Sequence, residues 1–254
     1  MTRIIISGVS GHLGQAVLGL ARNDKTVEVV AGLRRGAGGD YGFPVFRDAL
    51  DCDIAADVLV DVSSADALSG LLRFAQLRRV PLVLCTTGYD ADALDRIREC
   101  SRDVPILRSG NMSLGVNLLL ELTRRSAVAL GPDFDVEIVE KHHRRKVDAP
   151  SGTALMLAEA AAGSMWDKPD FVFERASRRE PRRDGEIGVS SVRGGTIVGE
   201  HEVIFAGNDE VIELRHVAYS RDVFAVGAIR AAKHMAGVTA SGLYDMQDVL
   251  ADNR

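Results

Sequence analysis

Short apolar runs alternate with helix-period stretches through the first half of the chain. Residues 3–7, built on Ile4-Ile5-Ile6, predict a strand, and residues 15–22 predict a helix after a glycine turn. Residues 27–33 predict a second strand, and 58–62, 81–86 and 105–107 predict further ones. Between them, residues 65–77 and 91–100 carry apolar side chains at helical spacing. Apolar strands separated by helices make βαβ units and hence a parallel sheet. The right-handed crossover rule winds that sheet into a Rossmann-like, doubly wound α/β layer.

The pattern changes after Asn111. Residues 114–130 predict one long helix, 135–141 alternate as a half-buried strand does, and 151–162 form an alanine-rich helical stretch. Residues 186–193 and 196–205 predict two strands, and Gly194-Gly195 between them is a hairpin signal. A turn at Gly207-Asn208-Asp209 leads to a third strand at 211–218. The expected result is a second α+β domain with a mixed or antiparallel sheet. Residues 222–235 are helical again, and the tail at 243–250 is expected to pack back on the first domain. Residues 166–184, dense in charge and holding Pro169 and Pro181, predict an irregular or exposed insert.

Composition narrows the class. Hydrophobic residues at 46% and charged residues at 26% are enough for a sizeable core. A net charge of −5 argues against general nucleic-acid binding. Three cysteines, Cys52, Cys85 and Cys100, give no disulfide framework and point to a reducing compartment. The amino-terminal residues lack the layout of a secretory signal, and no uncharged apolar run is long enough to span a bilayer. The expectation is a cytoplasmic enzyme or binding protein.

The first strand ends in Gly8-Val9-Ser10-Gly11-His12-Leu13-Gly14. Glycines there let backbone approach a pyrophosphate, whose charge is met by free N–H groups and the helix dipole. The spacing is G-x-x-G-x-x-G, with Ser10 at the usual second glycine, and an ordinary strand-to-helix turn is the alternative. An NAD site usually places an acid at the end of the second strand, about 20 residues on. Leu33-Arg34-Arg35 stands there instead. Two guanidiniums grip a 2′-phosphate through charge-assisted hydrogen bonds of about 1.5–3 kcal/mol each, so the expected cofactor is NADPH in preference to NADH. Solvated loop charges are the competing reading. Two later loops fall at strand C-termini, where open α/β sheets bind ligands. Cys85-Thr86-Thr87-Gly88-Tyr89 offers hydroxyls, and Ser109-Gly110-Asn111-Met112-Ser113 offers backbone and amide groups. Turn and cap roles compete at both.

Residues 140–154 concentrate the remaining chemistry. His142 and His143 stand among the cations Lys141, Arg144, Arg145 and Lys146, ahead of Pro150 and a Ser151-Gly152-Thr153 helix start. A nucleic-acid patch lacks an aromatic platform. A metal site is poorly served, because strand neighbours point to opposite faces and a third ligand is missing. A solvated charged loop and an anion pocket with a proton donor remain. In the second, Ser151, Gly152 and Thr153 present donors to a carboxylate at a helix N-terminus, Lys146 adds charge, and a histidine supplies a proton.

With these motifs together, the chain resembles the dihydrodipicolinate reductase family. The residues that carry the resemblance are the glycine turn at 8–14, Cys-Thr-Thr-Gly-Tyr at 85–89, Gly-Asn-Met-Ser-Leu-Gly-Val-Asn at 110–117 and the whole of 140–154. Ser191-Val192-Arg193-Gly194-Gly195 and Val198-Gly199-Glu200-His201 are also similar. The resemblance implies a dinucleotide-binding domain from residues 1–113 and 222–254. It implies a substrate-binding and oligomerisation domain from 114–221, assembled as a homotetramer. Gly8, Val9, Ser10, Gly11, His12 and Leu13 would bind cofactor, with Cys85, Thr86, Thr87, Ser109, Gly110, Asn111 and Met112. His142 would be the proton donor and Lys146 its catalytic partner, while His143, Gly152 and Thr153 would bind substrate carboxylates. The family often carries an acid at the position of Arg34 and an arginine at that of Arg35, so Arg34 departs from it. The implied reaction reduces 4-hydroxy-tetrahydrodipicolinate, with loss of water, to tetrahydrodipicolinate. Two other readings stand beside it: an amino- or hydroxy-acid dehydrogenase on the same cofactor layer, and an NADPH-binding sensor without turnover.

Overall fold

The computed structural model describes residues 1–36, 39–165 and 169–252. In chain order the elements begin with β1 (Thr2–Ser7), α1 (His12–Asn23), β2 (Val27–Leu33), β3 (Val45–Phe46), β4 (Val58–Asp61) and α2 (Leu68–Arg78). They continue with β5 (Leu82–Leu84), α3 (Ala91–Cys100), β6 (Pro105–Arg108), α4 (Leu114–Leu130), β7 (Asp135–His142) and α5 (Gly152–Met165). The rest are β8 (Asp170–Val172), β9 (Glu186–Arg193), β10 (Gly199–Ala206), β11 (Val211–Ala218), α6 (Asp222–Met235), β12 (Gly242–Tyr244) and α7 (Met246–Ala251). They fall into two compact units, Met1–Leu114 with Asp222–Arg254, and Gly115–Arg221.

The first unit holds a seven-stranded sheet in the order β12-β6-β5-β4-β1-β2-β3. Each strand pairing in it is parallel. Both faces are covered, which is why β1 reads as an unbroken apolar run and not as an alternation. Ile4 and Ile6 face a core shared with α1 and α6, while Ile5 faces a second core under α2 and α3, and all three are 0% exposed. β1 lies between β2 and β4, so the strand order reverses there. The carboxyl ends of β1, β2 and β4 therefore open onto a topological switch point, the place where such sheets take ligands.

Several elements differ from expectation for local reasons. α1 starts at His12, because the glycine turn is tight enough for the helix to begin directly after Gly11. The stretch expected as one helix at 65–77 opens with a 3-10 turn, Ala65–Ala67, before α2. β3 spans two residues, too few to show a period. The tail adds β12 to the free edge of β6, and α7 buries Met246 and Val249 in the α1–α6 core.

The second unit holds a five-stranded mixed sheet in the order β11-β10-β7-β9-β8. α4 and α5 supply the apolar cover, packing on Val136, Ile138, Ile187, Val189, Val203 and Phe205. The hairpin expected at Gly194-Gly195 does not form. β9 runs parallel to β7 and β10 antiparallel to it, so β7 lies between them. The glycine pair serves a crossing instead: Gly194 N–H donates to the His142 carbonyl at 2.9 Å, and Gly195 takes φ +47°. β10 and β11 do form an antiparallel hairpin through residues 207–210. The insert at 166–184 is not wholly irregular, since β8 extends the sheet from β9. Residues 166–168 of that insert lie outside the described residues.

Candidate active site

At the switch point of the first unit the chain makes a turn that tolerates no side chain at two positions. Gly8 has φ +81°, and a Cβ on it would come within 2.8 Å of the Ser63 backbone. A Cβ on Gly14 would lie 2.1 Å from the Gly8 carbonyl oxygen. Gly11 N–H closes the turn onto the Gly8 carbonyl at 2.9 Å, and the Gln15 amide holds the Val9 carbonyl at 2.7 Å. α1 follows at once, its first N–H groups lacking helical acceptors, as an anion site requires.

A crevice of about 520 Å³ lies against this turn, lined in part by Gly8, Ser10, Gly11, Arg34 and Arg35. Leu13 lines a neighbouring hollow of about 390 Å³ with Cys85, Thr86 and Thr87, and Ser63 and Ser64 border both. Of the sequence-predicted cofactor residues, Gly8, Ser10, Gly11, Leu13, Cys85, Thr86 and Thr87 thus line adjoining hollows beside the arginine pair. The shape and donors fit a dinucleotide. Arg35 donates to Asp66 at 2.8 Å and to Ser64 at 3.1 Å, while Arg34 reaches the Tyr41 hydroxyl at 3.4 Å. Arg47, beside β3, lines the same crevice. No pattern in the sequence pointed to it, because β3 is too short to be read.

Other predicted residues serve the frame. Val9 is 0% exposed in the core, and His12 is the exposed first residue of α1. Burial pushes the Cys85 thiol up, so it stays protonated. Residues 109–112 form a self-bonded turn: Ser109 Oγ donates to the Asn111 carbonyl at 2.7 Å, and Asn111 Oδ1 accepts from Ser113 N–H at 2.9 Å. Gly110 is exposed in that turn, and Met112 packs in the core, its carbonyl so close to Gly227 that a Cβ there would sit 1.7 Å away. Asp61 is a buried carboxylate that sequence reading missed. It accepts from Ser63 Oγ at 2.5 Å and from Thr86 Oγ1 at 2.7 Å, tying the loops after β4 and β5 to each other.

In the second unit, the helix-covered face of the sheet turns from apolar to polar in one step of the pleat. Along β7 the buried residues are Val136, Ile138, Glu140 and His142. Register sets Phe205 and Ile187 beside Val136, then Val203 and Val189 beside Ile138. The next row is His201, Glu140 and Ser191, and Arg193 stands beside His142. Glu140 is 0% exposed and accepts five hydrogen bonds. Oε1 takes Ser151 N–H at 3.1 Å, Ser191 Oγ at 2.8 Å and Arg193 Nη2 at 2.7 Å. Oε2 takes Arg193 Nη1 at 2.8 Å and His142 Nδ1 at 2.5 Å.

The electrostatics follow from these contacts. Burial pushes the Glu140 carboxyl up, but Arg193, His142 and Ser191 outweigh it and hold it down at about 2. Burial lowers His142 below its ordinary value, against the opposing pull of Glu140, and Lys146 and Arg193 lower it further. His201 is pushed down to about 4, by burial first and by the charge of His142 second. Its Nε2 bonds Ser151 Oγ at 3.1 Å, and its ring meets that of His142 edge-on, centroids 5.2 Å apart.

His143 Nε2 faces Arg221 Nη2 at 3.2 Å. A guanidinium only donates, so this ring nitrogen accepts and Nδ1 carries the hydrogen. That Nδ1 is buried and has no partner among the described residues. Lys146 pairs with Asp148 at 2.9 Å. Ser151 Oγ caps α5 by accepting from Ala154 N–H at 3.2 Å, and Gly152 and Thr153 begin the helix. Of the predicted residues of this segment, His142 and Ser151 meet on Glu140, and Lys146 lies near enough to His142 to disfavour its cation, while His143 turns to Arg221. Glu140 could have been found, since it lies two residues from His142 on one strand face. Arg193, Ser191 and His201 are marked in the sequence only by the family resemblance of 191–195 and 198–201, because their approach to Glu140 and Ser151 depends on strand order.

Fold and site together define a class: an oxidoreductase with a Rossmann-type nucleotide-binding layer and a separate α+β unit. The family model described as "Dihydrodipicolinate reductase, N-terminus" matches residues 2–112, and "Dihydrodipicolinate reductase, C-terminus" matches residues 115–250. The chain is 46% identical to a 4-hydroxy-tetrahydrodipicolinate reductase of Clostridium perfringens (strain 13 / Type A) over 254 residues, which covers 100% of both chains. It is 46% identical to one from Caldanaerobacter subterraneus subsp. tengcongensis over 250 residues, covering 98% of each. Among solved structures, a dipicolinate-bound dihydrodipicolinate reductase from Paenisporosarcina sp. TG-14 matches with a TM-score of 0.80 and 25% identity, over 96% of this chain and 97% of that one. The chain belongs to the dihydrodipicolinate reductase family.

The Glu140–Arg193 pair sets a pH dependence of stability. The folded carboxyl titrates at about 2 against an ordinary 4.5. Its contribution is therefore fully present above about pH 4.5 and is lost as pH falls towards 2. Arg193→Leu leaves a buried carboxylate without its cation, and the unfolding free energy at pH 7 should fall by about 3–5 kcal/mol. The deficit should narrow as pH falls from 4.5 towards 2, where the wild type loses the same ion pair. Urea titrations of both proteins at pH 7 and pH 3 measure both effects, and an unchanged midpoint at pH 7 would contradict this account of Glu140.

Proposed function

We propose that the chain reduces 4-hydroxy-tetrahydrodipicolinate to tetrahydrodipicolinate, with loss of water, in lysine and diaminopimelate biosynthesis. The observation that carries this reading is the polar row at the end of β7. It sets a carboxylate-backed histidine beside a helix start, and the next residue in the chain, His143, carries an orphan imidazole N–H; these are donors suited to a small dicarboxylate. Family membership supports it independently.

Each residue has a proposed part. When bound, a nicotinamide dinucleotide would supply the hydride for C4 of the dehydrated ring. The N–H groups at Gly152 and Thr153 hold one carboxylate at the positive end of α5. His143 Nδ1–H and the Lys146 ammonium hold negative charge near it and favour the electron density that moves towards the ring nitrogen. His142 delivers a proton to C3 from Nε2, the ring atom that Glu140 leaves free. Ser151 was expected among the substrate ligands. Its hydroxyl and N–H are both engaged within the protein, so its proposed part is to hold the helix start.

The cofactor is proposed to lie along residues 8–13 and the loops at 85–87 and 109–112. NADPH is proposed as the preferred form, because Arg34, Arg35 and Arg47 line one crevice with no carboxylate at the tip of β2. A homotetramer is proposed through the other face of the second unit's sheet, where Val139, Ile204 and Val217 remain half-buried between ion pairs. No helix among the described residues is long and apolar enough to cross a membrane.

A coupled assay tests the reaction. The preceding synthase makes the labile substrate in place, and absorbance at the NADPH band is followed with and without this protein. The expected outcome is rapid, substrate-dependent oxidation with a lower KM for NADPH than for NADH. His142→Gln should lower kcat by about a hundredfold with the dinucleotide KM unchanged. Lys146→Ala should lower kcat and raise the substrate KM. Dinucleotide binding without any substrate-dependent oxidation would overturn the reading in favour of a sensor.

A further inference from the structure

Three elements meet on the Glu140 carboxylate. β7 brings His142, β9 brings Ser191 and Arg193, and the residue ahead of α5 brings the Ser151 N–H. We infer that Glu140 is a positioning residue that couples the proton donor to the carboxylate-binding helix start, with one oxygen fixing the His142 ring and the other fixing the entry to α5. This deepens the proposed reaction and rests on the reading of His142 as its proton donor.

The first half of the coupling is a matter of tautomer. Arg193 grips both oxygens of Glu140, at 2.8 Å and 2.7 Å, so the carboxylate stays ionised and can only accept. His142 Nδ1 at 2.5 Å must therefore carry a hydrogen. Nε2 is left as the ring atom that exchanges a proton, and it has one to give when the ring is an imidazolium. Space is kept for that exchange, since Gly199 lies beside Nε2 and a Cβ there would stand only 3.2 Å from it. The charged and titratable groups around the ring come from several elements. Lys146 on the following loop and Arg193 on β9 disfavour its cation, and His201 on β10 adds no favourable charge. Glu140 is the group that favours it.

The second half concerns the helix start. Ser151 N–H is held by Oε1, while Ser151 Oγ caps Ala154 N–H and bonds His201. The first turn of α5 therefore has its register set from the sheet. One carboxylate group spans the distance from the proton donor to the Ser151 N–H, immediately ahead of Gly152 and Thr153. Glutamine cannot replace it, because it has a single acceptor oxygen and turns an NH₂ towards His142 or Arg193. Aspartate keeps the charge but loses one methylene of reach.

The test combines spectroscopy with two variants. In wild-type protein labelled with ¹⁵N-histidine, the His142 resonances, assigned by their absence in His142→Gln, should show a protonated Nδ1 and a pyridine-type Nε2 above the pKa of the ring. A proton donor loses activity as pH rises through its pKa. Glu140→Gln should move that limb of the kcat profile to lower pH and reduce kcat by about tenfold or more. It should also raise the dissociation constant of dipicolinate, measured by calorimetry, by about tenfold. Glu140→Asp should restore the limb towards its wild-type pH while dipicolinate remains weakly bound. A His142 ring protonated on Nε2 with Nδ1 bare would overturn the inference. So would Glu140→Gln with both the wild-type pH limb and the wild-type dipicolinate affinity. If circular dichroism finds Glu140→Gln unfolded, the wild-type ring spectrum decides alone. Failure of the proton-donor reading is separable: His142→Gln would then keep its turnover while the Nδ1–H signal and the dipicolinate effect remained.

Discussion

A carboxylate removed from water must recover nearly all of its solvation from the protein, and in this chain that requirement falls on Glu140. Its five hydrogen bonds come from its own strand β7, from the residue ahead of α5 and from β9, which lies much further along the chain. The requirement thereby fixes where β9 ends, which way the His142 ring faces and where α5 begins. An isolated charge in such surroundings is costly, and a missing donor would raise the carboxyl pKa until the charge was lost. The same interaction that makes burial tolerable also organises the chemistry, because two of the donors to Glu140 are His142, the proposed proton donor, and Ser151, which opens α5.

The two units solve different problems with the same sheet geometry. In the first, parallel strands end together at a switch point, and the ligand surface is made of backbone, glycines and hydroxyls. Asp61 stabilises that surface from below by binding Ser63 and Thr86, so the loops of β4 and β5 are held by one buried acid. In the second, the pocket grows out of the core itself. The pleat that buries Ile138 buries Glu140 and His142 one and two steps later, so the polar row inherits the rigidity of the apolar rows beneath it.

Much of the fold was legible because the strongest patterns were long or emphatic. The Ile4-Ile5-Ile6 run marked a strand covered on both sides, and the helices at Ala91–Cys100, Leu114–Leu130 and Asp222–Met235 have apolar periods that fix their ends. What failed was pairing. Gly194-Gly195 has the chemistry of a hairpin turn, yet local turn chemistry does not know that β7 lies between its flanking strands. β3 and β8, at two and three residues, carry no period at all. The site followed the same division. The segment with His142, His143, Lys146 and the helix start is contiguous and so was visible. Arg193 and His201 meet Glu140 and Ser151 across 53 and 50 residues, and that proximity exists only once the strand order is known.

The central claim is that the end of β7 and the start of α5 form one pocket for a ring bearing two carboxylates. A crystal structure of this chain with dipicolinate and a dinucleotide examines it most directly. The account predicts carboxylate oxygens within hydrogen-bond distance of the Gly152 and Thr153 N–H groups and of His143 Nδ1, with His142 Nε2 facing the ring and Nδ1 still on Glu140. Dipicolinate seated elsewhere, or a His142 ring turned away from Glu140 when the ligand is bound, would contradict it.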